Sequence, residues 1–249
     1  MLGGLMVLVG AGCSRTSSTS GSTAGTGSGG STVAAGCSHP YYPLRQGYSV
    51  TFKDTFPSFR GSPGEDHYTV RVTESSADGA KVVTHFDTSG IEVSQQLRCH
   101  NGAVAATSYV DMSSARSGSQ SFQAETRSVD GDYLPADLRV GSEWDTRFAI
   151  VLHPQGATAS ALGRDIEATV TMHHKVAGEE RVTVPAGSYQ ALKVVSQTSV
   201  DMRGGIAAGA MPTFTTTEWW VRDVGLVKGT TSFGSGIAAT TEAERVMIP

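Results

Sequence analysis

The chain of 249 residues is short of charge, of aromatic rings and of asparagine. Charged residues make up 17% and aromatics 7%, and the only asparagine is Asn101. The net charge is −4, with basic residues scattered rather than gathered into runs. A nucleic-acid surface needs a basic face to neutralise phosphates, so no nucleic-acid partner is expected. Anionic lipid calls for clustered Lys and Arg, which are also missing. No stretch approaches the roughly 18 apolar residues of a spanning helix. Asn101-Gly102-Ala103 is not a glycosylation acceptor. The chain carries no Gly-x-Ser-x-Gly elbow, no His-Glu-x-x-His and no phosphate-cradling loop before a helix. No catalytic residue and no cofactor are therefore expected.

What is present begins with cysteine. There are three, an odd number that needs explaining in an exported chain. Cys13 and Cys37 each follow small residues in the same string, Ala-Gly-Cys-Ser. Only Cys13 is preceded by an apolar run, Met-Leu-Gly-Gly-Leu-Met-Val-Leu-Val, able to act as the core of a signal peptide. Gly10 stands where a lipoprotein box usually has leucine, and no basic residue precedes the run, which a start codon placed too late would explain. The expectation is a lipoprotein-type signal peptide over 1–12, with lipid on Cys13. Residues 13–36 are almost wholly Ser, Thr, Gly and Ala. Such chain buries too little apolar surface to fold, and about 23 residues of it span roughly 25 Å as a flexible tether. Residues 37–249 then form a single β-rich domain. Its two cysteines, Cys37 and Cys99, are expected to pair in an oxidising compartment. The competing reading is a metal site from Cys37, His39, Cys99 and His100. Adjacent Cys99 and His100 would point to opposite faces of a strand, which disfavours it.

From Tyr41 onward the dominant period is two. Tyr68, Val70 and Val72 alternate with polar neighbours, as do Ile91, Val93, Leu97 and Cys99. Trp144, Phe148, Ile150 and Leu152 repeat the pattern, followed by Ile166, Ala168, Val170 and Met172. These are antiparallel strands with one apolar and one wet face. Asn101-Gly102 suits a two-residue hairpin, and Pro185, Gly187 and Asp223 mark further turns. About a dozen short strands without helical periodicity predict an all-β domain, a curved antiparallel sheet closing partly into a barrel. A β-sandwich is the alternative.

An internal repeat is visible: Tyr41-Tyr42-Pro43-Leu44-Arg45-Gln46-Gly47 and Tyr133-Leu134-Pro135, then Leu138-Arg139-Val140-Gly141, each leading into a strand. Two duplicated β-units would explain it. Three segments, Tyr41–Val50, Val182–Val195 (Val-Thr-Val-Pro-Ala-Gly-Ser-Tyr) and Thr217–Lys228 (Trp-Trp-Val-Arg-Asp-Val-Gly-Leu-Val-Lys), resemble those of a broad group of exported bacterial β-proteins, often lipid-anchored. The resemblance implies a β-rich envelope domain and brings no activity or catalytic residue with it.

The remaining polar residues read as structural. His173 and His174 fall on opposite faces, with His174 in register with Met172 and Val176 as a buried, hydrogen-bonded histidine. Glu65-Asp66, Asp130 with Asp132, and Glu242 with Glu244 read as turn and solvent-face carboxylates. Of Trp219 and Trp220, alternation sends one into the core and one to the far face. The function expected is a lipid-anchored, extracytoplasmic envelope protein, not an enzyme, whose β-domain binds an apolar ligand or a protein partner. A scaffold module of a surface assembly is the first alternative, and a hydrolase with an unrecognised site the second.

Overall fold

The computed structural model describes residues 37–56, 64–109, 115–117, 120–155, 165–203, 209–210, 213–233 and 236–249. Cys13, the leader and the tether lie outside the described residues. Fourteen strands and no helix are present among them: β1 Ser49–Phe56, β2 Gly64–Ser75, β3 Gly79–Phe86, β4 Ile91–His100, β5 Ala103–Ala106, β6 Ala115–Ser117, β7 Gln120–Asp130, β8 Glu143–Gln155, β9 Ile166–Val184, β10 Gly187–Arg203, β11 Gly209–Ala210, β12 Phe214–Val221, β13 Gly225–Phe233 and β14 Gly236–Met247. They make one antiparallel sheet in the order β5-β4-β3-β2-β1-β14-β13-β12-β10-β9-β8-β7-β6, with β11 beside β10. The sheet curls into a nearly closed barrel rather than a sandwich. Its two edges approach at a seam, where Val104 pairs with Leu134 and the Tyr109 amide donates to Thr126 Oγ1 at 3.2 Å.

Alternation decides the walls. Phe52, Tyr68, Val70, Val72, Val82 and Leu97 point inward from the first half, as do Phe148, Ile150, Val170, Val176, Val194 and Trp220 from the second. The outer wall carries ion pairs across neighbouring strands: Lys53–Glu65 at 2.6 Å, Arg71–Glu92 at 2.8 Å, Lys175–Glu143 at 2.6 Å and Lys228–Glu242 at 2.6 Å. That chemistry faces water. Such exposed pairs add little stability, but they keep the outer face polar.

One end of the barrel, here the floor, is where β1, β8, β10 and β13 begin. It is filled by the segments before β1 and β8, with Leu44 0%, Tyr48 2%, Leu134 2% and Leu138 6% exposed. These segments are the two copies of the sequence repeat, and the structure builds them alike. Gly47 and Gly141 both take positive φ, +90° and +87°. The Tyr48 amide donates to Arg45 O at 3.0 Å and the Ser142 amide to Arg139 O at 2.9 Å. Gly47 N donates to Val72 O (3.1 Å) and Gly141 N to Val176 O (3.0 Å), with Val72 and Val176 donating back to Tyr48 and Ser142. Each Leu-Arg-x-Gly run is thus a tight turn that locks the start of a strand onto its neighbour, using glycine where a side chain would be strained.

Two further devices hold the floor. Cys37 and Cys99 are joined in a disulfide, their Cα atoms 5.5 Å apart, tying the domain's entry to the end of β4. His39 Nε2 donates to Pro135 O at 3.0 Å while its Nδ1 accepts from the Tyr41 amide at 3.2 Å. That one neutral ring links the two repeat copies, and burial holds its pKa below the ordinary histidine value. The long β9–β10 hairpin bends at its tip over the outer wall, where the Ala186 amide donates to Ala243 O at 2.9 Å.

Candidate functional site

The inner wall changes character with depth. At the floor, Val227 and Ala243 are 0% and Trp220 2% exposed. The next row toward the other end, the rim, runs Asp54–Thr241–Gly229–Glu218 across β1, β14, β13 and β12. Every residue of that row keeps some accessible surface, as do Thr216 and Thr231 one row higher. Tyr42, Tyr68 and Tyr133 behave in the same way. Glu218 and these tyrosines lie deep among protein atoms on all sides. Side chains that are both deep and accessible face an internal space. On β12, β13, β14 and β1 the inner wall is therefore sealed at the floor and borders a hollow from the Glu218 row upward, whereas on β8, β9 and β10 the inward Phe148, Ile150, Val170, Val194 and Thr198 stay sealed.

The space is lined by rings and acids. Tyr42 and Tyr133 meet the edge of Trp220 with centroids 5.7 and 6.1 Å away, and stand 6.3 Å from each other. Tyr68 stacks between Phe52 (5.2 Å) and Phe86 (5.4 Å). Glu218 Oε2 accepts from Trp220 Nε1 at 3.1 Å, and Asp54 Oδ1 from Thr241 Oγ1 at 2.7 Å. Burial raises the pKa of both carboxyls, and the hydrogen bonds only partly offset it. Burial also pushes all three tyrosine hydroxyls up, with the Glu218 charge adding to the effect. At strand spacing of about 4.8 Å the two carboxylates sit about 14 Å apart along the wall. Gly229 lies between them and contributes no side chain, and a Cβ there would meet only Thr241 Cβ at 3.7 Å.

A second polar group sits in the β8–β9–β10 wall. Thr146 Oγ1 gives its only proton to Asp132 O at 2.6 Å, so it accepts from His174 Nε2 at 3.2 Å. Ser196 Oγ then donates to His174 Nδ1 at 2.7 Å, and the ring stacks on Trp144 at 4.8 Å. The imidazole is neutral. Burial, with His173 beside it, brings its pKa down to about 4. The serine–histidine contact has the look of a nucleophile and base, but Ser196 is 2% and His174 4% exposed, and the group packs the wall.

The other residues singled out from sequence are dispersed. His173 bonds Asp145 on the outer face, at 2.7 Å. Glu65 and Glu244 flank His67 at 3.3 and 3.0 Å, and His100 pairs with Asp132 at 3.1 Å. Asp66 turns inward and accepts from Thr88 Oγ1 at 2.5 Å. Among the described residues, no three His, Cys, Asp or Glu side chains converge as metal ligands. The two tryptophans divide as alternation requires, Trp220 inward and Trp219 outward. Trp219 is nonetheless only 9% exposed. The bent hairpin brings Glu180 to its Nε1 at 2.6 Å, and Lys193 and Lys228 lie 5.5 and 5.8 Å from its ring. Glu218 and Asp54 were not among the sequence candidates. Their signal was parity, since each stands two residues from an inward aromatic, Trp220 and Phe52.

Comparison with known proteins places this architecture. A crystal structure from Bacteroides fragilis, called an exported protein with YmcC-like fold, superposes with a TM-score of 0.53 at 14% identity, over 85% of this chain and 100% of that one. A lipoprotein from Parabacteroides distasonis superposes with a TM-score of 0.56, also at 14% identity, over 84% of this chain and 99% of that one. These likenesses show a shared fold. No curated protein matches the sequence. The DUF3108-like family model matches residues 62–236, from β2 to the start of β14, and the chain belongs to the DUF3108-like family.

Proposed function

We propose that this protein is an exported binding protein of the cell envelope, tethered through a lipid on Cys13, that holds an apolar ligand in the hollow half of its barrel. The observation that carries the reading is the change along the inner wall of β12, β13, β14 and β1, from sealed at Trp220 to accessible at Glu218 and above, opposite a β8–β10 wall that stays apolar and sealed. A binding site of this kind is concave and mostly apolar, with a few polar groups at defined places, and the rings of Tyr42, Tyr68 and Tyr133 supply the apolar share. Export is supported by the Cys37–Cys99 bond, which persists in oxidising compartments. Binding without turnover is supported by the separation of the acids from the histidines: His174 is sealed in the β9 wall, and His173 and His67 face outward.

The test uses the full chain purified from membranes. Native mass spectrometry and solvent extraction should recover a co-purifying amphiphile from the wild type. Gly229→Leu places a side chain in the hollow with no backbone strain, and should expel the ligand while the protein stays folded by circular dichroism. An empty wild-type protein that also ignores added alkyl compounds would end the ligand reading. Mass mapping of the N-terminal peptide checks the lipid on Cys13 separately.

A further inference from the structure

We infer that the ligand carries an ammonium head, seated against Glu218 beside Tyr42 and Tyr133, with its apolar remainder directed to the rim. The inference rests on the binding reading above and adds the chemical class of the ligand.

Among the described residues, charge on the inner wall is of one sign. Asp54, Asp66 and Glu218 face inward. Lys53, Arg71, Lys175, Lys193 and Lys228 all face outward, occupied with Glu65, Glu92, Glu143, Glu180 and Glu242. Among the described residues Glu218 therefore has no cationic partner. A carboxylate has about four lone-pair sites, and one is used here, by Trp220 Nε1. Among the described residues the hydroxyls of Tyr42 and Tyr133 make no hydrogen bond, although both rings lie in this wall. The space beside Glu218 is open because its neighbour across the strand pair is Gly229.

Three head groups compete for that position. An anionic head would be set against the Glu218 carboxyl in a wall whose other inward charges, Asp54 and Asp66, are also acidic. A neutral alkyl end would cover Glu218 and strip its water without offering a partner, which is costly for a buried acid. An ammonium satisfies the carboxylate and is attracted to the faces of Tyr and Trp rings, an attraction that strengthens away from water. Burial favours the protonated form of Glu218 in the empty barrel, and a bound cation would restore its charge.

The full chain is titrated with decyltrimethylammonium, decanol and decyl sulfate, each below its micellar concentration, and followed by tryptophan fluorescence and calorimetry. The ammonium should bind at least about tenfold more tightly than decanol, corresponding to one charge contact with ring support. Decyl sulfate should bind least. Glu218→Gln should erase the preference, bringing the ammonium to the affinity of decanol in the same variant. Glu180→Gln, which alters the matching carboxylate on the outer Trp219, should keep it. Equal binding of ammonium and alcohol by the wild type overturns the head-group assignment and leaves the ligand reading standing, as does a preference that survives in Glu218→Gln. Failure of all three probes to bind overturns both.

Discussion

The floor and the rim of this barrel are built from the same strands to opposite ends. At the floor, the inward positions are Val50, Val176, Val227, Leu192 and Trp220, backed by Leu44 and Leu134 from the two repeat segments, all at or below 2% exposure. A few residues further along β1, β12, β13 and β14, the inward positions are Asp54, Thr241, Gly229, Glu218, Thr216 and Thr231, while β9 and β10 continue with the sealed Val170, Val194 and Thr198. Large apolar side chains give way to small and polar ones, and a solid core gives way to a hollow. The lesson is that one β-wall can carry a sealed apolar core and open polar positions at once when the two are stacked along its strands. The floor supplies the apolar burial, so the rim is free to keep acids and open space that contribute nothing to folding.

That division is open to attack in order of expected effect. Trp220→Ala removes a ring 2% exposed that two floor tyrosines pack against. It should cost about 3–5 kcal/mol in urea unfolding, whereas Thr231→Ala in the rim half should leave the midpoint where it was. Equal losses at the two sites would erase the distinction. Next is the disulfide. Replacing Cys37 and Cys99 by serine should cost about 2–4 kcal/mol, because the bond closes a long loop in the unfolded chain. The ligand preference at Glu218 should survive, since the bond ties only the floor.

Acid separates the two regions by sign. His174 has a folded pKa of about 4, below the ordinary value near 6.5, so the unfolded chain binds the extra proton. Its contribution is intact above about pH 6.5 and falls away as pH drops toward 4, by about 3 kcal/mol at the lower limit. Glu218 and Asp54 act oppositely. Their folded pKa values are raised by burial, so their ionisation on the way to neutral pH disfavours the folded state. Unfolding free energies followed from pH 4 to 8 should show the histidine component vanish in His174→Gln. The smallest effect is expected of Glu218→Gln: slightly higher stability than wild type at pH 8, converging with it at pH 4. A Glu218→Gln protein less stable at pH 8 would mean that the carboxylate holds the wall together.

Much of this was legible beforehand in particular residues. The alternation in Tyr68-Thr69-Val70-Arg71-Val72 and in Trp144 through Leu152 assigned those side chains to their faces correctly. His174 was readable as a buried partnered ring from its register with Met172 and Val176. The Leu-Arg-x-Gly repeat became the paired turns of the floor. Parity also placed Glu218 on the same face as Trp220, yet it could not single out Glu218 from other carboxylates, since nothing local shows whether an inward position meets packing or space. Trp219 shows the converse. Its outward direction was readable, but its cover comes from the β9–β10 tip, which arrives from about forty residues earlier in the chain.

By itself the sequence determined that this domain is all-β, which side chains share a face, and where the chain turns. Those properties follow from the two-residue period of a strand and from glycine's tolerance of positive φ. Only the tertiary structure decided that the sheet closes, that Asp54 and Glu218 share one row across four strands, and that Tyr42 and Tyr133 stand near Glu218. The reason is physical. Closure and register are set by long-range pairings, β1 with β14 and β12 with β13, and by the curvature that their bulges introduce. A hollow belongs to the arrangement of walls, and no single strand carries it.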